Sequence, residues 1–138
     1  MAETLILDAE AVNALAHAAQ RRALAERARA ILTVAHEQRA LVRVPTPVLS
    51  EVCRGPRYDA AINHLLNARG IGVSDLTRSI AQRAGHVLAR AKLSSAHAVD
   101  ACVVATALHF DTAVIATGDP DDLQRLASPF RHVRVFAL

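Results

Sequence analysis

Ala113-Val-Ile-Ala-Thr-Gly-Asp-Pro-Asp-Asp-Leu123 decides how the chain is read. Ala113 to Ala116 is a short apolar run with β-branched residues, suited to a strand covered on both faces. Thr117-Gly118 breaks the run. Asp119-Pro120-Asp121-Asp122 then opens a helix, with Asp119 at the N-cap, Pro120 in the first helical position and acids in the first turn. Ligands of open α/β sheets gather beyond the carboxyl ends of the strands. The stretch is therefore either a strand and a well-capped helix, or one wall of an acidic site.

Thr4-Leu-Ile-Leu-Asp8 repeats the pattern at the other end of the chain: an apolar strand that runs into an aspartate. Between them, helical and extended periodicities alternate. Ala11, Val12, Leu15 and Ala16 share one face of a short helix. Leu24, Ala28, Ile31, Leu32 and Ala35 line a long helix over residues 21–38. Residues 41–44 read as a strand, closed by Pro45. Thr46-Pro47 opens a helix that ends near Gly55-Pro56, and a further helix spans 57–68. A strand at 70–73 follows, then a helix over 76–90 capped by Asp75. The next helix, 96–110, is capped by Ser94 or Ser95, and a last strand covers 133–136. This alternation predicts an α/β fold with a mainly parallel sheet of four to five strands flanked by helices. A chain of 138 residues without an internal linker is expected to form a single domain over 1–138.

Composition narrows the function. Hydrophobic residues make up 52% and aromatics 3%, so the core is Ala, Leu and Val, and base stacking is a poor means of reading sequence. No apolar run approaches the length of a membrane span, and the first residues carry no basic leader, so a cytoplasmic protein without membrane association is expected. Cys53 and Cys102 are read as small buried side chains in a reducing compartment. The net charge is +3, and all but Lys92 of the 16 basic residues are arginine. Guanidinium forks suit phosphate oxygens, which permits a nucleic-acid partner. No Gly-rich phosphate loop follows either apolar strand, which counts against a nucleotide-binding protein.

Four acids stand in unusual places. Asp100 lies in the apolar helix Ala96-His-Ala-Val-Asp-Ala-Cys-Val-Val-Ala-Thr-Ala-Leu108, with Ala96, Val103, Val104 and Ala107 on its face. Glu51 lies among Val48, Leu49, Val52 and Cys53. Asp8 and Asp119 end strands, and Asp122 is one turn further on. Each has an ordinary explanation alone: a hydrogen-bonded buried acid for Asp100, an ion pair with Arg54 for Glu51, helix caps for Asp8 and Asp119. His97, three residues before Asp100, reads as a capping or packing histidine. Convergent carboxylates raise one another's pKa unless a cation neutralises them, and all-oxygen ligands suit a hard ion such as Mg²⁺ or Mn²⁺.

Taken in order, these residues resemble the PIN-domain ribonucleases, and most of all the VapC-type toxins of type II toxin–antitoxin pairs. The resemblance rests on Leu5-Ile-Leu-Asp8, Pro47-Val-Leu-Ser-Glu51, Asp100-Ala101, Thr117-Gly-Asp119 and Asp122-Leu123, and it runs end to end. It implies a PIN-like three-layer fold and a divalent-metal-dependent endoribonuclease that cuts RNA phosphodiester bonds and blocks translation and growth. It implies that Asp8, Glu51, Asp100 and Asp119 form the acidic quartet holding Mg²⁺ or Mn²⁺, with Asp122 an outer acid and Thr117 a supporting hydroxyl. Arg54, Arg57, Arg21 and Arg22 are candidates for holding the RNA backbone. It further implies a homodimer and a cognate VapB-like antitoxin that covers the acidic site. The chain departs from the pattern after Asp8, where Ala9 and Glu10 replace a Thr or Ser and a small polar residue; Glu10 is expected to point to solvent. A catalytically silent PIN-like module that binds RNA or acts as a scaffold is the alternative.

Overall fold

The computed structural model describes residues 3–68 and 70–138. The reading of Met1 and Ala2 as free of a basic leader falls outside them. Five strands form one parallel sheet: β1 (Thr4–Leu7), β2 (Val42–Pro45), β3 (Ile71–Ser74), β4 (Ala113–Thr117) and β5 (Val133–Ala137). Their order is β3-β2-β1-β4-β5. The helices are α1 (Ala9–Ala16), α2 (Arg22–Glu37), α3 (Thr46–Val52), α4 (Pro56–Leu66), α5 (Arg78–Ala91), α6 (Ala98–Leu108) and α7 (Pro120–Ala127). Short 3₁₀ turns at Ala18–Gln20 and Ser95–His97 precede α2 and α6.

The chain starts in the middle of the sheet, winds outward to β3, then crosses back to β4 and β5. Right-handed crossovers place the helices before β3 and those after it on opposite faces. The packing agrees: α1 lies on α2, α3 and α4, while α6 lies on α5 and α7. The direction of winding reverses between β1 and β4, and at such a switch point the two flanking loops part and leave a crevice. One helix bridges it, because α3 touches both α1 and α6.

The strands are short continuous apolar runs because both faces are covered. All four residues of β1 are buried, and Ile6, Leu7, Ile115, Ile62, Leu123 and Leu126 are the largest side chains removed from water. An open apolar groove of about 390 Å³ lies between α2 and the sheet, lined by Leu5, Ile31, Val34, Val114 and Phe136. The acids of interest do not line it.

Several local expectations are corrected. Thr46 does not cap α3; it is the first helical residue, and its Oγ1 instead accepts from the Leu76 N–H at 3.0 Å, tying α3 to the loop after β3. The helix after β3 starts at Arg78, and its cap is Thr77 rather than Asp75, with Thr77 Oγ1 accepting from the Ile80 N–H at 3.1 Å. The predicted helix 96–110 divides into a 3₁₀ turn and α6; the Ser94 hydroxyl accepts from the Ala96 N–H. Asp119 stands at the N-cap of α7, yet its side chain makes no capping bond. Cys53 and Cys102 are half-buried rather than enclosed.

Candidate metal centre

The register of β1 and β4 places the end of one beside the end of the other: Leu7 pairs with Ala116, so Asp8 and Thr117 leave adjacent strands side by side. Asp8 is 5% exposed. Its Oδ1 accepts from the Ala11 N–H at 2.9 Å, so it caps α1 as expected of a strand-end aspartate. Thr117, fully buried, donates its hydroxyl to the Asp8 carboxylate and accepts the Asp119 N–H at 2.9 Å. Burial raises the Asp8 pKa from 3.8 to about 6; the hydrogen bonds from Thr117 and Ala11 pull it down, and the charges of Asp100 and Glu10 push it up.

Asp100 sits in the first turn of α6, half-buried above the wholly buried Val103, Val104 and Ala107. Its pKa is raised, first by burial and then by the charges of Glu51, Asp122 and Asp119, while His97 opposes the rise. Asp100 is thus the hub at which acids from β1, α3, α6 and the start of α7 meet. The charges of Glu51, Asp119 and Asp122 act on Asp100 and that of Asp100 on Asp8, but of these five acids only Asp100 and Asp122 stand, among the described residues, in a group of ligand atoms within 4.8 Å; the bridging position of α3 brings Glu51 to the Asp100 side. Glu51 itself is exposed, not enclosed, because Val48 and Val52 take the inward face of α3.

Arg54 stands apart from this group. Its guanidinium turns back on its own chain, donating to the carbonyls of Ser50 at 2.8 Å and Cys53 at 2.7 Å, and its backbone N–H donates to Asp59. Among the described residues no ion pair joins it to Glu51.

Two members of the site were not legible as such in the sequence. Glu10 is partly open to solvent, as expected, but is also held against the protein. Its side chain packs on Gly118, where a Cβ would lie 3.3 Å from Glu10 Cβ and Oε2, and its carboxylate pairs with Arg21. His97 ends the 3₁₀ turn before α6, and its Nδ1 is 3.4 Å from Asp122 Oδ2. His97, Asp100 and Asp122 each offer a ligand atom, and all three atoms lie within 4.8 Å of one another. Ligands about 2.0–2.2 Å from one ion stand at most about 4.4 Å apart, so these side chains fit a cation after shifts of a few tenths of an ångström. The spacing of His97 from Asp100 was the only signal for it in the sequence.

A strand-end acid at a topological switch point, an acidic helix terminus and a helical acid bridged by a third element define a class of α/β domain with a cation-competent acidic crevice. The PIN domain family model matches residues 5–129, and the chain belongs to that family. A solved chain from the structure titled "Crystal structure of VapBC2 from Rickettsia felis bound to a DNA fragment from their promoter" shares the fold. It superposes with a TM-score of 0.68 at 9% identity and covers 98% of both chains. No curated protein matches the sequence. Among the described residues no helix is long and apolar enough to cross a membrane.

Proposed function

We propose that the protein is a divalent-cation-dependent endoribonuclease that hydrolyses RNA phosphodiester bonds. The observation that carries this reading is the gathering of acidic charge on Asp100 at the carboxyl end of the sheet, where Glu51, Asp119, Asp122 and Asp8 act with it and His97 and Asp122 offer ligand atoms within 4.8 Å. Burial first, and then the repulsion among these acids, shift Asp8 and Asp100 toward their neutral forms. Asp8, Asp100 and Asp119 would hold Mg²⁺ or Mn²⁺, with Asp122 reaching the same ion from α7 and Glu51 at the margin. When bound, such an ion acidifies a coordinated water and offsets charge on the phosphate undergoing attack.

The residues of this chain do the rest. Thr117 fixes the Asp8 carboxylate and the first amide of the Asp119 turn through one hydroxyl. Glu51, exposed and acting by its charge on Asp100, would orient the attacking water and take its proton. Arg21, paired with Glu10 yet with its side chain 54% exposed, keeps donors free for an RNA phosphate. Arg54 is a weaker candidate for the same task because its guanidinium already serves two carbonyls.

The similarity of fold to a chain from a VapBC2 structure supports a toxin of a type II toxin–antitoxin pair. In this reading the protein is a cytoplasmic homodimer, held silent by a VapB-like antitoxin that covers the acidic crevice. Total RNA incubated with the purified protein tests the activity: fragments form with Mn²⁺ or Mg²⁺ and none form in EDTA. RNA binding without cleavage under any cation would favour the silent PIN-like module instead. Co-expression with the product of a neighbouring small open reading frame tests the pairing: it restores growth that the protein alone arrests.

A further inference from the structure

We propose that His97 is a nitrogen ligand of the cation held in this crevice, so that the site takes a first-row transition ion, with Mn²⁺ as the probe, in preference to Mg²⁺. The inference rests on the reading of the acidic crevice as a cation site and adds to it a donor that an all-carboxylate site lacks.

Three observations place the imidazole. First, the Ser95–His97 turn is held on Ser94 twice: its hydroxyl accepts from the Ala96 N–H at 3.3 Å, and its carbonyl accepts from the His97 N–H at 3.1 Å. The turn hands directly into α6, so His97 stands at the N-cap of the helix, three residues before Asp100. Second, Nδ1 faces Asp122 Oδ2 at 3.4 Å, from the turn before α6 to the first turn of α7. Third, the ligand atoms of His97, Asp100 and Asp122 lie within 4.8 Å of one another, the only such group among the described residues. The acids of the crevice thus draw together on the side that carries the histidine. All three side chains are half-buried, which leaves them reachable by an ion from solvent.

The donor set decides the metal. Mg²⁺ prefers oxygen ligands in a near-ideal octahedron and keeps several waters. Imidazole nitrogen favours the first-row transition ions, and affinity for them rises along the series from Mn²⁺. A histidine in the shell therefore raises affinity for Mn²⁺ more than for Mg²⁺. A simple His97–Asp122 ion pair would bind no cation through nitrogen, which separates the two roles experimentally.

The test is pulsed electron paramagnetic resonance of the full-length, untagged protein loaded with Mn²⁺, read for modulation from a directly bound ¹⁴N. The expected result is nitrogen modulation in the wild type and none in His97→Gln. In calorimetry, His97→Gln should lose about tenfold or more in Mn²⁺ affinity and less than about threefold in Mg²⁺ affinity. Mn²⁺ bound without nitrogen modulation overturns the proposal, as does modulation that persists in His97→Gln and so comes from another histidine. The wild-type spectrum decides even if the variant does not fold. A protein that cuts RNA in a cation-dependent way but shows no nitrogen coupling rejects this inference alone. One that shows the coupling and leaves RNA intact rejects the nuclease reading alone.

Discussion

Asp8 and Thr117 are bound to each other across the junction of β1 and β4: the Leu7–Ala116 register sets the aspartate beside the threonine, whose hydroxyl donates to it. The same oxygen accepts the Asp119 N–H, so one buried hydroxyl coordinates both strand ends of the crevice. Thr117→Val keeps the shape of the side chain and removes both bonds. We expect it to lower Mn²⁺ affinity about 10- to 100-fold, the range found when partners of ligating groups are removed. Thr117→Ser retains the hydroxyl and should stay within a few-fold of the wild type. Calorimetric titration of the two variants checks this.

The raised pKa of Asp8 makes stability depend on pH in a definite direction. Its carboxyl titrates near 3.8 in the unfolded chain and at about 6 in the native protein. Below 3.8 both states carry the proton and the group contributes nothing. Between 3.8 and 6 the native state holds the proton more tightly, so its relative stability falls as pH rises through this window. Above 6 the ionised group costs the native state up to about 3 kcal/mol. Asp8→Asn keeps an oxygen for the Ala11 N–H and carries no charge. In EDTA it should therefore be more stable than the wild type at pH 8, with the gap closing toward pH 4. Divalent cation should raise the wild-type melting temperature by more than that of the variant, which loses one ligand. Denaturant unfolding at several pH values measures the gap, and equal stabilities at pH 8 would contradict the assignment.

Glu10 loads the crevice with charge because Gly118 makes room for it. An alanine at 118 would bring a Cβ to 3.2 Å from Leu24 Cδ2 and 3.3 Å from Glu10. Gly118→Ala should displace Glu10 at a cost of about 1 kcal/mol or less, since a side chain rather than backbone must give way. Glu10→Gln should lower the Asp8 midpoint, because a like charge beside it is gone. Carboxyl-resolved NMR titration of Asp8 in the metal-free protein reads the shift. An unchanged or higher midpoint in Glu10→Gln would be the contrary result.

What the sequence revealed and what it hid have physical reasons. The strands Thr4–Leu7 and Ala113–Thr117 were legible because burial on both faces writes a continuous apolar run into the chain, and Asp8 and Asp119 stand out at their ends. The parallel α/β class followed from the alternation of periods. Asp100 was conspicuous because its helix is apolar on every side, as the buried run from Val103 to Leu108 confirms. His97 and Glu10 were hidden because their roles depend on partners brought by the fold. Asp122 reaches His97 from another helix, and Glu10 needs the bare backbone of Gly118 and an arginine eleven residues on. Glu51 was legible as an acid among apolar neighbours, but its exposure was not, since only the bridging position of α3 shows which of its faces is turned inward. The cap of α5 was misread for a smaller reason: Asp75 and Thr77 are both good cap residues, and the strand β3 ends only at Ser74.

Asp100 is the residue on which the functional reading turns, because the other acids of the crevice meet there. The most direct measurement is cleavage of total RNA by the wild type and by Asp100→Ala, each with Mn²⁺ and each shown to be folded by circular dichroism. The expected result is cleavage by the wild type, stopped by EDTA, and a loss of at least about a thousandfold in Asp100→Ala, in line with removal of a principal catalytic group. A folded Asp100→Ala protein that cuts RNA at the wild-type rate would contradict it.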